Sequence, residues 1–411
     1  MHQNQFVPNE KILKNFADVL IKFALNSGNG VKKGEVVYVS INELAKPLLE
    51  HIQNSIIESG AHMILNYLPA EFERDRDMLK SFYNNASEEQ LTFFPYEYIQ
   101  ARVNVVDHFV IILSPHDINY LSDVDQNKIS KRARAWKPYL EMRNEKEYKG
   151  RLTWVLTQYP TQALANVVSM SLEEYWEQVI QACFLDDENS IKKHKEVMDN
   201  IRKIVNWLNS LNIRKLFIKG NDVELVIGLT EHHRFVGGSG RNIPSFEIFT
   251  SPDWRQTNGW IYFNQPLYRN GTVIKGIKLE FKEGIVINYS AEENLEALKS
   301  MLETDEGAKR IGEFSLTDKR FSRINKIMGN TLYDENYGGE YGNTHIALGQ
   351  SYRDAIINQE RFSNEEIKNL GFNDSAIHTD IISTSNREVI ALLENGKEIV
   401  IYKDGEFLGL Q

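Results

Sequence analysis

The stretch KLFIKGNDVELVIGLT, residues 215–230, lies where the pattern of apolar and polar residues changes along the sequence. Its two apolar runs flank a Gly-Asn-Asp turn, and this pattern predicts a β-hairpin. Before residue 210 strand signals alternate with helical ones, whereas after the hairpin short strands follow one another. The chain of 411 residues is therefore predicted to form two domains, residues 1–210 and residues 211–411.

The first half is predicted to be an open α/β domain with a mainly parallel sheet, because strands that alternate with helices form βαβ units. Gly28, Gly30 and Gly34 do not make a GxGxxG motif, and they precede a strand where a phosphate loop must follow one. A nucleotide-binding domain is therefore not expected. The predicted helices cover residues 9–26, 44–59, 172–183 and 192–211, and the predicted strands cover residues 35–41, 61–68, 109–114 and 152–159.

The second half is predicted to be a β-rich α+β domain with antiparallel strands. Residues 259–289 contain short apolar runs, which are interrupted by an Asn-Gly turn at 270–271 and a Glu-Gly turn at 283–284. The two halves together give an α/β fold class, with a parallel sheet first and β-rich sheets after it.

Composition limits the possible partners. The formal net charge of -10 disfavours nucleic acid, and the basic run at residues 131–134 is expected to be a solvated helix face. No signal peptide and no membrane-spanning segment is recognisable, so a cytoplasmic location without a membrane partner is expected. Cys183 is the single cysteine, which excludes an intramolecular disulfide, and its apolar surroundings predict a buried, inert thiol.

SAIHTDIIS, residues 375–383, predicts a buried strand. Strand alternation then places His378 and Asp380 on the same face, where an imidazole and a carboxylate suit a divalent metal. A structural hydrogen bond between the two side chains explains the pair equally well.

TLYDENYGGEYGNTHIALGQSY, residues 331–352, places Asp334, Glu335, Glu340 and His345 among glycines and asparagines, which relax the backbone. A solvated acidic loop is the alternative, but HIALGQSY is too apolar for an exposed loop. His345 is therefore expected inside.

Glu247 and Glu313 are isolated carboxylates in apolar segments, where burial costs several kcal/mol unless the charge is paired or bound to a metal. Each alone is compatible with a salt bridge. Together with His345, His378 and Asp380 they supply the donor set of a two-metal site. The sequence lacks the HExxH zinc helix and the GxSxG nucleophile elbow, while His232, His233 and His108 are expected to be structural.

The sequence resembles the thermophilic metallo-aminopeptidases of the aminopeptidase T and aminopeptidase S type. Four segments carry the resemblance, in the order NIPSFEIFTSP, GEFSL, residues 331–352 and SAIHTDII. Residues 154–187 also resemble the N-terminal domain of that family. The resemblance implies metal ligands at Glu247, Glu313, His345, His378 and Asp380, with Glu313 bridging. It also implies a catalytic tyrosine at Tyr352. An insertion before His345 leaves two candidates for one functional carboxylate: order in the motif favours Glu335 and spacing favours Glu340.

This resemblance implies a homodimer that removes single N-terminal residues from peptides. The expected mechanism uses water activated by two divalent metals, which are zinc, cobalt or manganese. Another metal-dependent amide hydrolase, such as a deacylase, would use the same ligands with a different pocket. A degenerate peptide-binding scaffold is disfavoured, because no ligand is lost.

Overall fold

The computed structural model describes residues 6–68, 73–269 and 272–409. They form two compact units. The first covers the chain up to Lys195 together with Gly240–Ile243, and the second covers Glu196–Ser239 and the residues from Pro244 onward. Helix α10, Ser190–Ser210, continues through the division between the units. The domain boundary near residue 210 stays a prediction.

The first unit contains the predicted parallel sheet. Among the described residues its strand order is β2-β1-β3-β4-β8, and each neighbouring pair is parallel. Parallel neighbours require long crossover connections, which the intervening helices supply. The strands are β1 Val36–Asn42, β2 His62–Leu68, β3 His108–Leu113, β4 Thr153–Gln158 and β8 Asn242–Ile243.

Helices flank these strands in the sequence. The first begins where the Asn9 side chain accepts a hydrogen bond from the Ile12 N–H, which satisfies an otherwise unpaired backbone donor. The helices before α10 are α1 Glu10–Val19, α2 Lys46–Glu58, α3 Glu73–Asn85, α4 Glu88–Thr92, α5 Tyr96–Val105, α6 Gln126–Ala135, α7 Lys137–Tyr148, α8 Gln162–Val167 and α9 Leu172–Ala182.

The polar groups singled out in the first unit have structural roles. His108 is buried and contacts Glu35 and Thr153, each at 2.8 Å. Cys183 is buried, as predicted. Gly30 adopts φ +72°, and a Cβ there would lie 2.4 Å from the Lys22 carbonyl oxygen, so this glycine serves a tight turn.

The basic run at residues 131–134 lies on helix α6. Its lysine, Lys131, pairs with Glu88 at 2.8 Å, and the Arg132 guanidinium lies over the rings of Phe82 and Trp136. Lys131 and Arg132 therefore contact residues of the first unit. Among the described residues, no helix combines the length and the apolar character needed to cross a membrane.

The second unit is β-rich and antiparallel, as predicted. The hairpin at residues 215–230 is confirmed: Lys215 pairs with Gly228, and Gly220 pairs with Val223. It lies within a sheet of order β14-β13-β10-β6-β5-β18-β19-β20. The strands of this sheet are β5 Ile213–Gly220, β6 Val223–Gly228, β10 Asp253–Phe263, β13 Ile277–Lys282, β14 Ile285–Ser290, β18 Arg387–Leu393, β19 Glu398–Lys403 and β20 Glu406–Phe407.

A second sheet of this unit has the order β17-β16-β15-β9-β7. Every residue of β15 and β16 is buried, which gives the sheet a rigid centre. A separate hairpin pairs β11 with β12, and the Asn-Gly turn predicted at 270–271 between them lies outside the described residues. The strands are β7 Val236–Gly237, β9 Glu247–Thr250, β11 Leu267–Arg269, β12 Thr272–Ile274, β15 Ile311–Thr317, β16 Asn343–Gly349 and β17 His378–Ser383; the helices are α11 Leu295–Leu302, α12 Thr331–Asp334 and α13 Asn364–Asn369.

Gly349 ends β16 at a point where the residue directly before β17 comes very close. It adopts φ +108°, and a Cβ there would lie 2.0 Å from the Ile377 carbonyl oxygen. We expect Gly349→Ala to lower the unfolding temperature by far more than Gly396→Ala. Gly396 shares a positive φ of +81° but has open space around it, so that change costs only the conformational strain of about 1–2 kcal/mol. Thermal unfolding of both variants measures the difference, and equal losses would contradict the packing argument.

Candidate metal centre

The five predicted ligands lie on one face of the β17-β16-β15-β9 sheet. Glu247 pairs with Thr317, two positions from Ser315, which pairs with His345. Ala347 pairs with both Glu313 and Asp380, and Gly349 pairs with His378. Because alternate residues of a strand share a face, this register directs all five side chains to the same side. The five residues are Glu247, Glu313, His345, His378 and Asp380.

Glu313 occupies the middle of the cluster. Its Oε1 lies 3.1 Å from His345 Nε2, and its Oε2 lies 3.7 Å from His378 Nε2. His345 Nε2 is also 3.4 Å from Glu247 Oε2, and His378 Nε2 is 3.4 Å from Asp380 Oδ1. The donor atoms therefore form two groups that share the Glu313 carboxylate.

Burial and the charges of neighbouring groups shift the pKa values of the cluster. Glu313 is 2% exposed, and burial together with nearby Glu247 raises its pKa to about 7. Burial opposes protonation of His345, but hydrogen bonds to Glu247 and Glu313 raise its pKa well above the usual value. Burial would raise the pKa of Asp380, but the neighbouring His378 outweighs it and lowers that pKa to about 2. Without added cations the cluster therefore retains protons.

Glu335 joins this cluster and Glu340 does not. Glu335 is buried, and its burial and the charges of Glu247 and Asp380 raise its pKa well above the usual value. Its backbone carbonyl accepts hydrogen bonds from Thr317 Oγ1 at 3.0 Å and Asn343 Nδ2 at 2.9 Å, which attach it to β15 and β16.

Glu340 is exposed and hydrogen-bonds Tyr341. Asp334 is buried but accepts hydrogen bonds from the N–H groups of Met328 and Asn330, at 2.6 and 3.0 Å. It therefore holds the preceding loop. The three carboxylates of the 331–352 stretch thus occupy three different environments.

Tyr352 lies beside the cluster on the segment that follows β16. Its ring centroid is 4.6 Å from that of His378 and 5.6 Å from that of Phe249. Although 44% of the residue is exposed, desolvation on its inner side and the nearby Glu313 and Asp380 carboxylates raise the pKa of its phenol well above the usual value. The hydroxyl therefore stays protonated near neutral pH and can donate a hydrogen bond.

Residues 9–407 match the family model described as thermophilic metalloprotease (M29). The chain belongs to this family. Aminopeptidase 2 of Geobacillus stearothermophilus is 29% identical over 97% of this chain and 98% of its own length. Aminopeptidase T of Thermus thermophilus is 31% identical over 67% of this chain and 69% of its own length.

The fold also matches a solved structure, wild-type AmpT from Thermus thermophilus. The TM-score is 0.79 at 23% identity, and the match covers 97% of this chain and 99% of that one. The predicted family and fold class are therefore confirmed for this M29 chain. The prediction of a metallo-aminopeptidase is confirmed by the metalloprotease family and by relatives that are named aminopeptidases.

Membership of the M29 family implies a divalent metal, and the residues present fit one. Donor atoms of Glu247, Glu313 and His345 all lie within 4.8 Å of one another. Among the described residues, the buried Glu313 Oε2 has no hydrogen-bond partner. Mixed carboxylate and imidazole donors suit divalent metals of borderline softness. Ser315 and Ala347, which lie between these residues on this face, have small side chains.

Sequence reasoning missed several residues that support the site in this M29 chain. The Gln350 carbonyl accepts a hydrogen bond from His378 Nδ1 at 2.7 Å, which leaves Nε2 available as a metal donor. The buried Asn336 accepts a hydrogen bond from the Phe246 N–H, next to Glu247, at 2.5 Å. Asn336 could have been noticed in the DEN motif, because a buried side-chain amide needs hydrogen-bond partners. A backbone carbonyl leaves no such signal.

Because Glu313 is shared by both donor groups, we expect Glu313→Ala to lose more bound metal than Glu335→Ala. Its removal would leave two cations undercoordinated and mutually repelling, whereas a proton-transfer group can be removed with the metals in place. Glu340→Ala is the matched control, because Glu340 is exposed. Elemental analysis of the purified variants measures the metal content. Two tightly bound metals in Glu313→Ala would show that this carboxylate does not bridge.

Proposed function

We propose that this M29 chain releases single N-terminal residues from peptides through a site that holds two divalent metals, which are zinc, cobalt or manganese. The observation that carries the proposal is the position of Glu313, whose two carboxylate oxygens face different imidazoles. One metal would be held by Glu247, His345 and Glu313, and the other by His378, Asp380 and Glu313. Sites of this kind place their metals about 3.5–4 Å apart, so that one carboxylate can serve both.

When bound, the metals would polarise the scissile carbonyl and activate water for attack. Glu335 is the proposed general base, because its carboxylate is buried among the cluster charges. It would take the proton of the attacking water and pass it to the leaving amine. Glu340 is not favoured for this role, because it is exposed and bonded to Tyr341.

Tyr352 is proposed to stabilise the transition state. Its raised pKa keeps the phenol protonated, and its ring contacts His378 at the edge of the cluster. The hydroxyl would donate a hydrogen bond to the oxyanion that develops on the substrate carbonyl. A protonated phenol suits this task, since an ionised one would repel the developing charge.

A free amino terminus is the proposed recognition element of the substrate. The relatives named aminopeptidases support this reading. The homodimeric state and the cytoplasmic location expected from the sequence are also proposed here, and sedimentation of the purified protein tests the first of them.

An amino-acid anilide with a free amine is expected to be hydrolysed, whereas its N-acetylated form is not. Chelation should abolish this activity, and zinc, cobalt or manganese should restore it, since the ligands are oxygen and nitrogen donors. Absorbance of the released aniline measures both rates. Preferred cleavage of the acetylated substrate would indicate a deacylase, no cleavage of either by the metal-loaded protein would indicate a binding scaffold, and full activity in a verified metal-free sample would exclude the metal mechanism.

Tyr352→Phe is expected to lower kcat by roughly 100- to 1000-fold, the effect of losing one oxyanion donor, about 2.7–4 kcal/mol. KM should change little, because the bond forms in the transition state. Phenylalanine keeps the ring contacts with Phe249 and His378. Steady-state kinetics on protein with verified metal content measures the effect, and turnover within about twofold of the parent would limit Tyr352 to packing.

A further inference from the structure

Strand β9 places two alternate residues, Glu247 and Phe249, on the face that carries the cluster. Glu247 begins the strand, Phe249 follows two positions later, and Ser251 comes directly after the last strand residue. Glu247 is a proposed metal ligand, and the Phe249 ring contacts the Tyr352 ring at 5.6 Å. The short segment 247–251 therefore connects a metal ligand to the proposed oxyanion donor.

Ser251 contacts the backbone of Tyr352. Its Oγ accepts a hydrogen bond from the Tyr352 N–H at 2.9 Å, and the residue is completely buried. A backbone N–H in a buried position needs such a partner, because leaving it unpaired costs about 1–3 kcal/mol. Ser251 is thus the acceptor that fixes the residue whose side chain reaches the cluster.

The segment that carries Tyr352 is held at successive positions. Gln350 N–H donates to the Ile377 carbonyl at 2.7 Å, and Ser351 Oγ accepts from Asn373 N–H at 2.9 Å. These two bonds attach the segment to residues 373–377, whereas the Ser251 bond attaches it to β9 on the other side. The segment is therefore hydrogen-bonded both to Ser251, directly after β9, and to residues 373–377, directly before β17.

We propose that Ser251 is a positioning residue for Tyr352, an inference that rests on the proposed role of that tyrosine. The phenol oxygen lies at the end of a long side chain, so a small shift of the backbone moves the hydroxyl by a larger distance. A misplacement of about 1 Å can cost on the order of 100-fold in rate. Loss of the Ser251 acceptor lets the segment relax, which separates the hydroxyl from the oxyanion it would stabilise.

The test compares Ser251→Ala with Thr250→Val. Thr250 is the neighbouring buried residue on the opposite face of β9, and its Oγ1 donates to the Arg234 carbonyl at 2.9 Å. Each variant thus loses one buried hydroxyl hydrogen bond. We expect Ser251→Ala to lower kcat about threefold to tenfold with unchanged KM and metal content, and Thr250→Val to leave kcat unchanged. Hydrogen exchange of the Tyr352 amide in the metal-free protein should accelerate in Ser251→Ala alone.

A double-mutant cycle separates positioning from general destabilisation. In the Tyr352→Phe background, Ser251→Ala should cause no further loss of kcat, because the hydroxyl that it positions is already absent. Additive losses would overturn the proposal, and so would parent-like kcat or amide exchange in Ser251→Ala when Tyr352→Phe is impaired. If Tyr352→Phe itself works normally, the proposed role of Tyr352 is wrong, and the positioning role falls with it.

Discussion

The burial of the Glu313 carboxylate between two imidazoles is the constraint on which the second unit depends. An isolated carboxylate costs several kcal/mol to bury, and His345 and His378 repay that cost only if they retain protons. The strand that carries Glu313 is buried along its whole length, so the charge has no route to solvent. The other carboxylates of the cluster add repulsion. Divalent cations held by these carboxylates and imidazoles would offset that repulsion, which is the physical argument for a metal centre at this position.

A sheet holds these groups because its register fixes side-chain direction and spacing together. Neighbouring strands are about 4.8 Å apart, so ligands on adjacent strands lie within reach of one ion. The small residues Ser315 and Ala347 lie between them. The residues that complete the site come from less regular segments: Glu335 follows α12, and Tyr352 follows β16. Hydrogen bonds to Thr317, Asn343 and Ser251 attach these two residues to the surrounding structure.

Local patterns predicted the parts of this fold that local physics determines. The apolar runs around Gly-Asn-Asp predicted the β5-β6 hairpin, and alternation along residues 375–383 predicted that His378 and Asp380 share a face. The pairing of Thr317 with Glu247 joins residues far apart in the sequence, and no local pattern encodes it. Sequence spacing could not show which of Glu335 and Glu340 lies in the cluster, because the glycine-rich insertion changes the path of the chain. The backbone carbonyl that accepts a hydrogen bond from His378 could not be predicted, because every residue has a carbonyl and the sequence does not mark which one makes a contact.

The charges of the cluster link metal binding to the pKa of Glu335, the proposed base. Two divalent cations would match the charge of four carboxylates, Glu247, Glu313, Glu335 and Asp380. Without them, burial and the charges of Glu247 and Asp380 raise the pKa of Glu335. In a loaded site the nearby positive charge favours the ionised form.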